Sequence, residues 1–374
     1  MQLKTDKGVY EGAVVREEPH GVGVYKYNNG DVYNGDFSFG RKHGQGTLKY
    51  ANGDVYVGEF SFDEPRGKGI LKYANGDKLE GEFHVYGSCE NAKMTYKDGT
   101  IIERDRIGGG YIPFGKAKIT YKNGDVYEGD TNDTKPSGKG TLTLKDGTII
   151  DGRWCGDISN PYNVKITYKN GDVYEGAIKN NIPSGVGVYT KSNGDRYKGI
   201  FKNATLTGRF EIYFSSTGIE YDGVVVKGIP NGHGKQTMPN GTEYRGDFKK
   251  GVRNGKGILT QATGNGYGGV FKNDKIAKVE KLYYSSTSYY KGGIKDLKRH
   301  GKGSYYVRDN VITGTFVEDK LVGKARIVNY SKGYEVTGEF TDIKNATKVL
   351  YKTKEDGSFY GKIVDGQFIE LNKK

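Results

Sequence analysis

The chain has 374 residues, of which 60 are glycine and 31 are tyrosine, and only 34% of it is hydrophobic. Glycine is more than twice as common as in an average protein, and the aliphatic content is too low for the two or three thick cores that this length would suggest. The regular spacing of the aromatic residues and the modest net charge of +13 count against a disordered chain. The composition therefore predicts a folded but thin protein.

The N-terminal segment and the cysteines bear on the cellular compartment. Residues 1–7 contain no apolar stretch of the kind found in signal peptides, and no run approaches the length of a membrane span. Cys89 and Cys155 have no metal-type spacing, and two thiols cannot build a disulfide framework. We therefore expect a cytoplasmic protein.

An internal repeat of about 23 residues runs through the whole chain. Each unit begins with an apolar anchor two positions before a glycine; Arg104 replaces that glycine in one unit. The fourth residue after the anchor is nearly always apolar. These features predict one continuous array over residues 1–374 with about sixteen repeats. The anchors are Tyr10, Tyr33, Tyr56, Leu79, Ile102, Tyr127, Ile150, Tyr174, Tyr197, Tyr221, Tyr244, Tyr267, Tyr290, Ile312, Val336 and Phe359.

A second signature lies about eleven residues after the anchor. It is Gly-x-Gly followed by alternating apolar residues, as in residues 44–50, and many units then close with Asn-Gly or Asp-Gly. Alternating runs bounded by Asn-Gly are typical of β-hairpins. Each repeat is therefore predicted to form one hairpin.

Strand parity predicts the loop of each hairpin. Both apolar sets share one face only if the loop has an odd number of residues, so we predict a three-residue loop at 51–53 with a left-handed glycine. This loop places Leu48 opposite Tyr56 and Gly46 opposite Gly58. Large rings then lie beside glycines, where the absent side chains leave room for them.

The hairpins are predicted to form a meander of roughly 32 short strands. At about 4.8 Å per strand the array would be a rod roughly 150 Å long before twist shortens it. Each hairpin would contact only its neighbours, so stability would be a sum of local contributions.

The combination of Tyr-x-Gly-x-Phe, Gly-x-Gly and Asn-Gly in register resembles the MORN (membrane occupation and recognition nexus) repeat over essentially the whole chain. The resemblance implies an all-β fold, an elongated single-layer antiparallel β-hairpin solenoid with no second layer. It also implies a scaffold in cytoskeletal structures, in cilia or beneath membranes. Chains that consist only of such repeats look most like cytoskeletal MORN proteins of protists, which form antiparallel dimers and larger assemblies.

A basic segment spans residues 241–308, with 15 Lys and Arg against 5 Asp and Glu. Such a segment is either a solvated face or a match for an acidic protein or phospholipid headgroup. No recognised nucleic-acid module accompanies it, so nucleic acid is not expected as a partner. The candidate binding residues are Lys249, Lys250, Arg253, Lys256, Lys298, Arg299, His300 and Lys302, and tyrosine pairs lie nearby at 283–284, 289–290 and 305–306.

The anchors and the aromatic residues four positions later form a candidate aromatic face. One interpretation is the packed face of the sheet, and the other is a groove for a partner, since a single layer must leave some apolar surface open. The candidates are Tyr33, Phe37, Tyr56, Phe60, Tyr127, Tyr174, Tyr197 and Tyr244.

No catalytic, metal or cofactor site is predicted. Residues 264–269 match the dinucleotide fingerprint, but they lie in the repeat register without a helix to receive a phosphate. His20, His43 and His300 each precede a Gly-x-Gly, one per hairpin, too far apart to share a metal ion. Enzymatic relatives of the MORN type carry an added kinase or methyltransferase domain, for which no length remains, so we expect a non-enzymatic protein.

Two functions remain open at this stage. The first is a structural scaffold that organises cytoskeletal or ciliary proteins and self-associates as a homodimer or a larger assembly. The second is a peripheral membrane adaptor whose basic C-terminal third binds acidic phospholipid (phosphoinositide) headgroups.

Overall fold

The computed structural model describes residues 1–108 and 114–371. The chain divides into two compact units, Met1–Ser192 and Asn193–Lys374, which are described separately below. Both consist of antiparallel β-strands, and the only helical element in the described residues is a 3-10 turn at Val85–Gly87.

The first unit contains seventeen strands, most of them seven to nine residues long. Short turns join most of the consecutive strands in the described residues. The strands are β1 (Gln2–Thr5), β2 (Gly8–Val15), β3 (Glu18–Tyr27), β4 (Val32–Ser38), β5 (Arg41–Lys49), β6 (Val55–Ser61), β7 (Glu64–Lys72), β8 (Lys78–His84), β9 (Ser88–Thr95), β10 (Ile101–Ile107), β11 (Phe114–Thr120), β12 (Val126–Asn132), β13 (Lys135–Thr143), β14 (Ile149–Cys155), β15 (Tyr162–Thr167), β16 (Val173–Lys179) and β17 (Ile182–Thr190).

The second unit contains sixteen strands of the same kind. They are β18 (Arg196–Phe201), β19 (Gly208–Phe214), β20 (Ile219–Val226), β21 (Ile229–Thr237), β22 (Glu243–Lys249), β23 (Val252–Thr260), β24 (Gly266–Lys272), β25 (Lys275–Tyr283), β26 (Ser288–Lys295), β27 (Lys298–Val307), β28 (Asn310–Val317), β29 (Lys320–Asn329), β30 (Tyr334–Asp342), β31 (Asn345–Thr353), β32 (Ser358–Val364) and β33 (Gln367–Glu370).

Within each unit the strands form an open meander. Each strand pairs antiparallel with the strands before and after it in the chain, in the first unit and in the second. Every anchor lies on an even-numbered strand, from Tyr10 on β2 to Phe359 on β32. The prediction of an all-β, single-layer hairpin fold is confirmed within each unit, whereas the repeat count and the rod length stay predictions.

The predicted hairpin register is confirmed in detail. On β5 and β6, Leu48 lies opposite Tyr56 and Gly46 lies opposite Gly58. The backbone N–H of Tyr50 donates to the carbonyl of Asp54 at 2.9 Å, and three residues form the loop between them. Gly53 has φ +94°, the left-handed conformation that the loop requires.

In eight of the described hairpins the core is a tyrosine ring that lies over two glycines of the same hairpin; the anchors are Tyr10, Tyr33, Tyr56, Tyr127, Tyr174, Tyr221, Tyr244 and Tyr290. A Cβ atom built on Gly46 would lie 2.4 Å from Tyr33 Oη, and one built on Gly35 would lie 2.6 Å from it. The same ring meets Phe37 and Phe60 edge-on, with centroids 5.0 and 4.8 Å away. These contacts bury Tyr33 completely without a second layer, because the glycines bring the backbone up to the ring face.

Beneath seven of these rings a β-bulge gives the tyrosine hydroxyl its partners. Between β4 and β5 the register shifts after Gly35, so that extra residues of β5 stand opposite Asp36. Tyr33 Oη donates to the carbonyls of Asp36 at 2.9 Å and His43 at 3.3 Å. The bulge carbonyls are thereby satisfied inside the sheet. Equivalent bonds from an anchor hydroxyl are made by Tyr10, Tyr56, Tyr127, Tyr174, Tyr221 and Tyr244.

The aspartate of the Asn-Gly-Asp turn does more than shape its own turn. Asp54 is held by Asn52, whose side chain bonds both its backbone and its carboxylate. The other carboxylate oxygen accepts the backbone N–H of Ala74, in the turn of the next hairpin, at 2.8 Å. The same connection is made by Asp31, Asp77, Asp125 and Asp172 in the first unit and by Asp195 in the second.

Aspartates also connect hairpins along the opposite row of turns. Phe62 and Asp63 form a two-residue turn with φ +52° and +73°, as a type I′ turn requires. The Asp63 carboxylate accepts the backbone N–H of Lys42, in the preceding hairpin, at 2.8 Å. Neighbouring hairpins are thus joined at both rows of turns as well as along their strands.

Candidate functional site

The two faces of each sheet differ in composition. We call the face that carries the anchors the aromatic face and the opposite face the charged face. On the charged face, oppositely charged residues pair across neighbouring strands, as Lys118 and Glu128 do at 3.3 Å and Lys198 and Glu211 do at 2.9 Å. Such pairs keep a solvated sheet face electrostatically balanced.

The eight candidates for the aromatic face are core residues of their own hairpins. Each is at most 3% exposed, so the intact hairpins leave no surface of these side chains for a partner. They are Tyr33, Phe37, Tyr56 and Phe60, with Tyr127 and Tyr174, in the first unit, and Tyr197 and Tyr244 in the second.

Two candidates of the basic segment, Arg253 and Arg299, lie on the aromatic face instead of an open surface. Their side chains are only 17% and 16% exposed, and each bonds a turn aspartate of the next hairpin, Asp274 and Asp319 respectively. The Arg299 guanidinium also lies 4.5 Å from the ring centroid of Tyr305. These arginines connect hairpins, and charge reversal there would break a packed contact.

The remaining candidates are arranged along the charged face and its turns. Lys249, Lys256, Lys298 and Lys302 are exposed and alternate along their strands with residues of the aromatic face. Lys250 lies in a two-residue turn, and His300 is half-buried on the charged face. Residues 249–256 and 298–302 are four strand spacings apart, roughly 19 Å, so they form two separate groups.

An open groove of about 550 Å³ lies on the charged face over β21–β27, from His233 to Tyr306, and Lys256 of the first group lines it. Its floor includes Gly268, where the absence of a side chain deepens the surface between Ile258 and Tyr283. We call it the lysine–tyrosine groove, after Lys256, Lys281, Lys291, Tyr283, Tyr289 and Tyr306, which line it.

The three tyrosine pairs divide between the two faces. Tyr284, Tyr290 and Tyr305 belong to the aromatic face, where Tyr290 is fully buried. Their neighbours Tyr283, Tyr289 and Tyr306 are directly opposite one another on the charged face. Tyr289 and Tyr306 stack with centroids 4.4 Å apart, and the Lys281 ammonium lies 3.5 Å from the Tyr289 centroid.

The tyrosines of this groove belong to the tyrosine pairs noted in the sequence, whereas Lys281 and Lys291 are not among the predicted binding residues. Residues 281–291 read Lys-Leu-Tyr-Tyr, three loop residues, then Ser-Tyr-Tyr-Lys, which is nearly a palindrome. With a three-residue loop, that symmetry places the two lysines opposite each other, as the structure does. The signal was therefore present in the sequence.

A second open groove, of about 850 Å³, lies on the charged face over β27–β31. Lys302, Lys324, Arg326 and Lys348 line it, together with Glu339. Lys348 pairs with Glu339 at 3.2 Å. Arg326 pairs with Glu335 at 2.8 Å, so two of the cations of this basic groove already have a carboxylate partner.

Neither metal chemistry nor a membrane-spanning helix is indicated in the described parts of the chain. Within residues 1–108 and 114–371 no three His, Cys, Asp or Glu side chains cluster as metal ligands. No helix in those ranges has the length and apolar content to cross a bilayer. Both cysteines are unpaired thiols, Cys89 buried and Cys155 exposed.

The family model of the MORN repeat matches eight segments of the chain, at residues 10–32, 33–55, 56–78, 127–149, 174–196, 221–243, 244–266 and 290–310. Each begins at a tyrosine anchor. Their spacing follows the hairpins described above, and the chain is a MORN-repeat protein. A search of the curated proteins finds no match.

Some solved structures are similar to parts of this chain. The TCP domain of SAS-4 (dCPAP) from Drosophila melanogaster, solved with a proline-rich motif of Ana2 (dSTIL), is 16% identical over 54% of this chain and 90% of that one, with a TM-score of 0.26. The TCP10 domain of Danio rerio CPAP, solved with a peptide of STIL, is 13% identical over 71% and 99% of the two chains, with a TM-score of 0.19. These TM-scores are low, so the similarities carry no information about function.

Proposed function

We propose that this protein is a non-enzymatic scaffold that organises protein partners and self-associates in a cytoskeletal, ciliary or membrane-associated assembly. Its docking surface is the charged face of the second unit. The observation that carries this proposal is the contrast between the faces: the aromatic face is sealed by its own glycines and rings, whereas the charged face offers two open, basic grooves, one of them lined by tyrosines. Tyrosine beside cations is a composition typical of protein interfaces.

A test must separate the exposed lysines from the arginines that hold hairpins together. We would change Lys249, Lys250, Lys256, Lys298 and Lys302 to Glu and leave Arg253 and Arg299 intact. The control carries the same charge change at five exposed lysines of the first unit, Lys26, Lys49, Lys72, Lys122 and Lys145. Both variants should remain folded, since all ten side chains are solvated.

Proximity labelling in cells identifies the protein partners. The parent and each variant carry the labelling tag. We expect the parent to label a discrete set of proteins that the second-unit variant loses and the first-unit variant keeps. Light scattering should show self-association of the parent that weakens between about 50 and 300 mM salt, as screening shortens. Equal labelling and equal self-association by all three proteins would overturn the proposal.

The alternative function, binding of acidic phospholipid headgroups, is favoured by the same exposed lysines. Flotation with phosphatidylcholine vesicles, with and without phosphoinositide, separates it from scaffolding. Scaffolding predicts no phosphoinositide-dependent flotation of the purified protein. Flotation that requires phosphoinositide and disappears in the second-unit variant would favour the adaptor.

A further inference from the structure

The lysine–tyrosine groove breaks the pairing rule of the charged face. Lys281 on β25 lies directly opposite Lys291 on β26. Like charges in directly opposed positions destabilise a sheet. At the equivalent position in two other repeats a lysine faces and pairs with a carboxylate, as Lys93 does with Glu103 and Lys118 does with Glu128.

A neighbouring pair shows how the sheet compensates when two cations do face each other. Lys235 and Arg245 are directly opposite on β21 and β22. Glu243 lies between them and pairs with both, at 2.5 and 3.1 Å. No such carboxylate serves Lys281 or Lys291: among the described residues neither forms an ion pair, and the nearby Glu280 pairs with Lys278.

The surroundings of Lys281 raise the free-energy cost of keeping its ammonium charged without a carboxylate partner. Its ammonium lies 4.7 and 3.5 Å from the ring centroids of Tyr283 and Tyr289, which remove water from it. Burial, together with the charge of Lys291, lowers the pKa of Lys281. A partly desolvated cation held beside a second cation is the arrangement that an incoming anion relieves.

The groove also offers an apolar surface beside the two ammonium groups. The stacked rings of Tyr289 and Tyr306 form a flat platform, and Gly268 at the floor lets a backbone approach closely. We propose that this groove binds an acidic segment of a protein partner, with a carboxylate between Lys281 and Lys291 and an apolar or aromatic side chain on the Tyr289–Tyr306 platform. This inference rests on the proposed scaffold function and names the chemistry of the partner.

A peptide fits these observations better than a membrane surface does. The groove is a local concavity of about 550 Å³, which holds a few side chains. Glu280 lines it and Glu243 lies beside it, and both would repel an anionic bilayer. A peptide can place one carboxylate at the lysines and keep the rest of its charge away from these residues.

The test uses the full chain and a fluorescent peptide of alternating glutamate and phenylalanine, read by anisotropy. Lys291→Glu restores opposite-charge pairing with Lys281, so we expect roughly tenfold or greater loss of peptide affinity together with an unchanged or raised Tm. Lys295→Glu is the matched control, since Lys295 is exposed on the same strand and faces Lys298. This control should bind the peptide within about twofold of the parent.

Further variants and probes exclude simpler explanations. Lys281→Gln and Tyr306→Ala should each weaken peptide binding several-fold, while a peptide with lysine in place of glutamate should not bind. Competition by inorganic phosphate at the concentration of the peptide would reduce the site to a general anion site and overturn the proposal. Binding of phosphatidylserine vesicles that requires Lys291 would overturn it in favour of a membrane.

The outcomes separate this inference from the proposed function. If Lys291→Glu binds the peptide like the parent, or lowers the Tm, the inference fails. The scaffold proposal still stands in that case if the five-lysine variant of the second unit loses its partners. If Lys291→Glu leaves peptide binding unchanged and the five-lysine variant also keeps its partners, both proposals fail.

Discussion

The aromatic face and the charged face of the same strands follow different physical rules. On the aromatic face the rule is steric, because Tyr33 fits only where Gly35 and Gly46 have no side chains. On the charged face the rule is electrostatic, and pairs such as Lys198 and Glu211 remain 60% and 64% exposed. A packed core tolerates little change in side-chain volume, whereas a solvated ion pair contributes little to the free energy of unfolding. Charged residues without an opposite partner on the charged face therefore cost little stability, and they are available to bind a partner.

The sharpest way to test this comparison is to add one methyl group on the aromatic face. Gly46→Ala places a Cβ 2.4 Å from Tyr33 Oη, so we expect a loss of about 1–3 kcal/mol through overpacking. The control is Gly115→Ala, where the nearest atom of the described residues, Nη2 of Arg104, is 3.4 Å from the added Cβ.

Hydrogen exchange of the backbone amides is the measurement for this pair of variants. Protection should fall in the hairpins around β4–β6 in Gly46→Ala and stay unchanged in distant hairpins, because each hairpin contacts only its neighbours. Gly115→Ala should leave protection unchanged throughout. Loss of protection across the whole first unit would show that the unit unfolds cooperatively.

The second prediction concerns the turn aspartates and pH. Burial raises the pKa of Asp172, but hydrogen bonds from Tyr189, Ser192 and Asn170 outweigh it, so the pKa lies below its ordinary value of 3.8. The unfolded chain binds this proton more tightly, so the stabilisation is present above the ordinary value and is lost as the pH falls through the lowered pKa.

Asp172→Asn should therefore destabilise the first unit by about 1–2 kcal/mol at pH 7. The difference in the free energy of unfolding between this variant and the parent should shrink once the pH falls below the ordinary pKa of the carboxyl group. Thermal unfolding at a series of pH values measures it. Asp105→Asn, at an exposed carboxylate, is the control and should track the parent. A constant difference at every pH would contradict the assignment to charge.

A smaller effect is expected from the anchor hydroxyl. Tyr33→Phe removes the donor to the carbonyls of Asp36 and His43 and should cost about 0.5–1.5 kcal/mol. Tyr290→Phe is matched to it, because Tyr290 is equally buried but its hydroxyl has no partner among the described residues. Urea denaturation, monitored by near-ultraviolet circular dichroism, measures the stability of both variants. Equal losses of stability would argue against a role for the hydrogen bonds to the bulge carbonyls.

The smallest effect is expected on the charged face. Lys198→Ala removes a solvated ion pair with Glu211 and should cost at most about 1 kcal/mol. The loss should disappear in high salt, since exposed pairs are screened. Urea denaturation at low and high salt checks this, and a loss comparable to that of Gly46→Ala would remove the distinction between the two faces.

Departures from the repeat pattern show how the steric rule is kept with other residues. Where the anchor is Ile312, no tyrosine ring covers Gly314, and the space is filled by Leu321 and Ala325, each 2.8 Å from a Cβ built on that glycine. Where Arg104 replaces the glycine, its guanidinium crosses to the carbonyl of Asp133 at 3.0 Å. The hairpin persists in both cases because the volume above the sheet stays occupied.

Much of the fold could be predicted from the sequence because its rules are local. Strand alternation and the odd loop length together determine that Leu48 faces Tyr56 and that Gly46 lies beneath a ring. Both rules act within about twenty residues of chain. The same alternation could have placed Arg253 and Arg299 on the aromatic face, but counting charge over residues 241–308 ignores the direction of each side chain.

Only the tertiary structure decided how neighbouring hairpins are connected and which cations stay uncompensated. The carboxylate of Asp54 reaches the turn of the next hairpin at Ala74, a contact that no pattern within one repeat encodes. Glu243 forms ion pairs with both Lys235 and Arg245, whereas Lys281 and Lys291 face each other without a carboxylate. Sequence patterns determine which face a residue occupies, but the balance of charge on that face depends on the strands that packing brings alongside it.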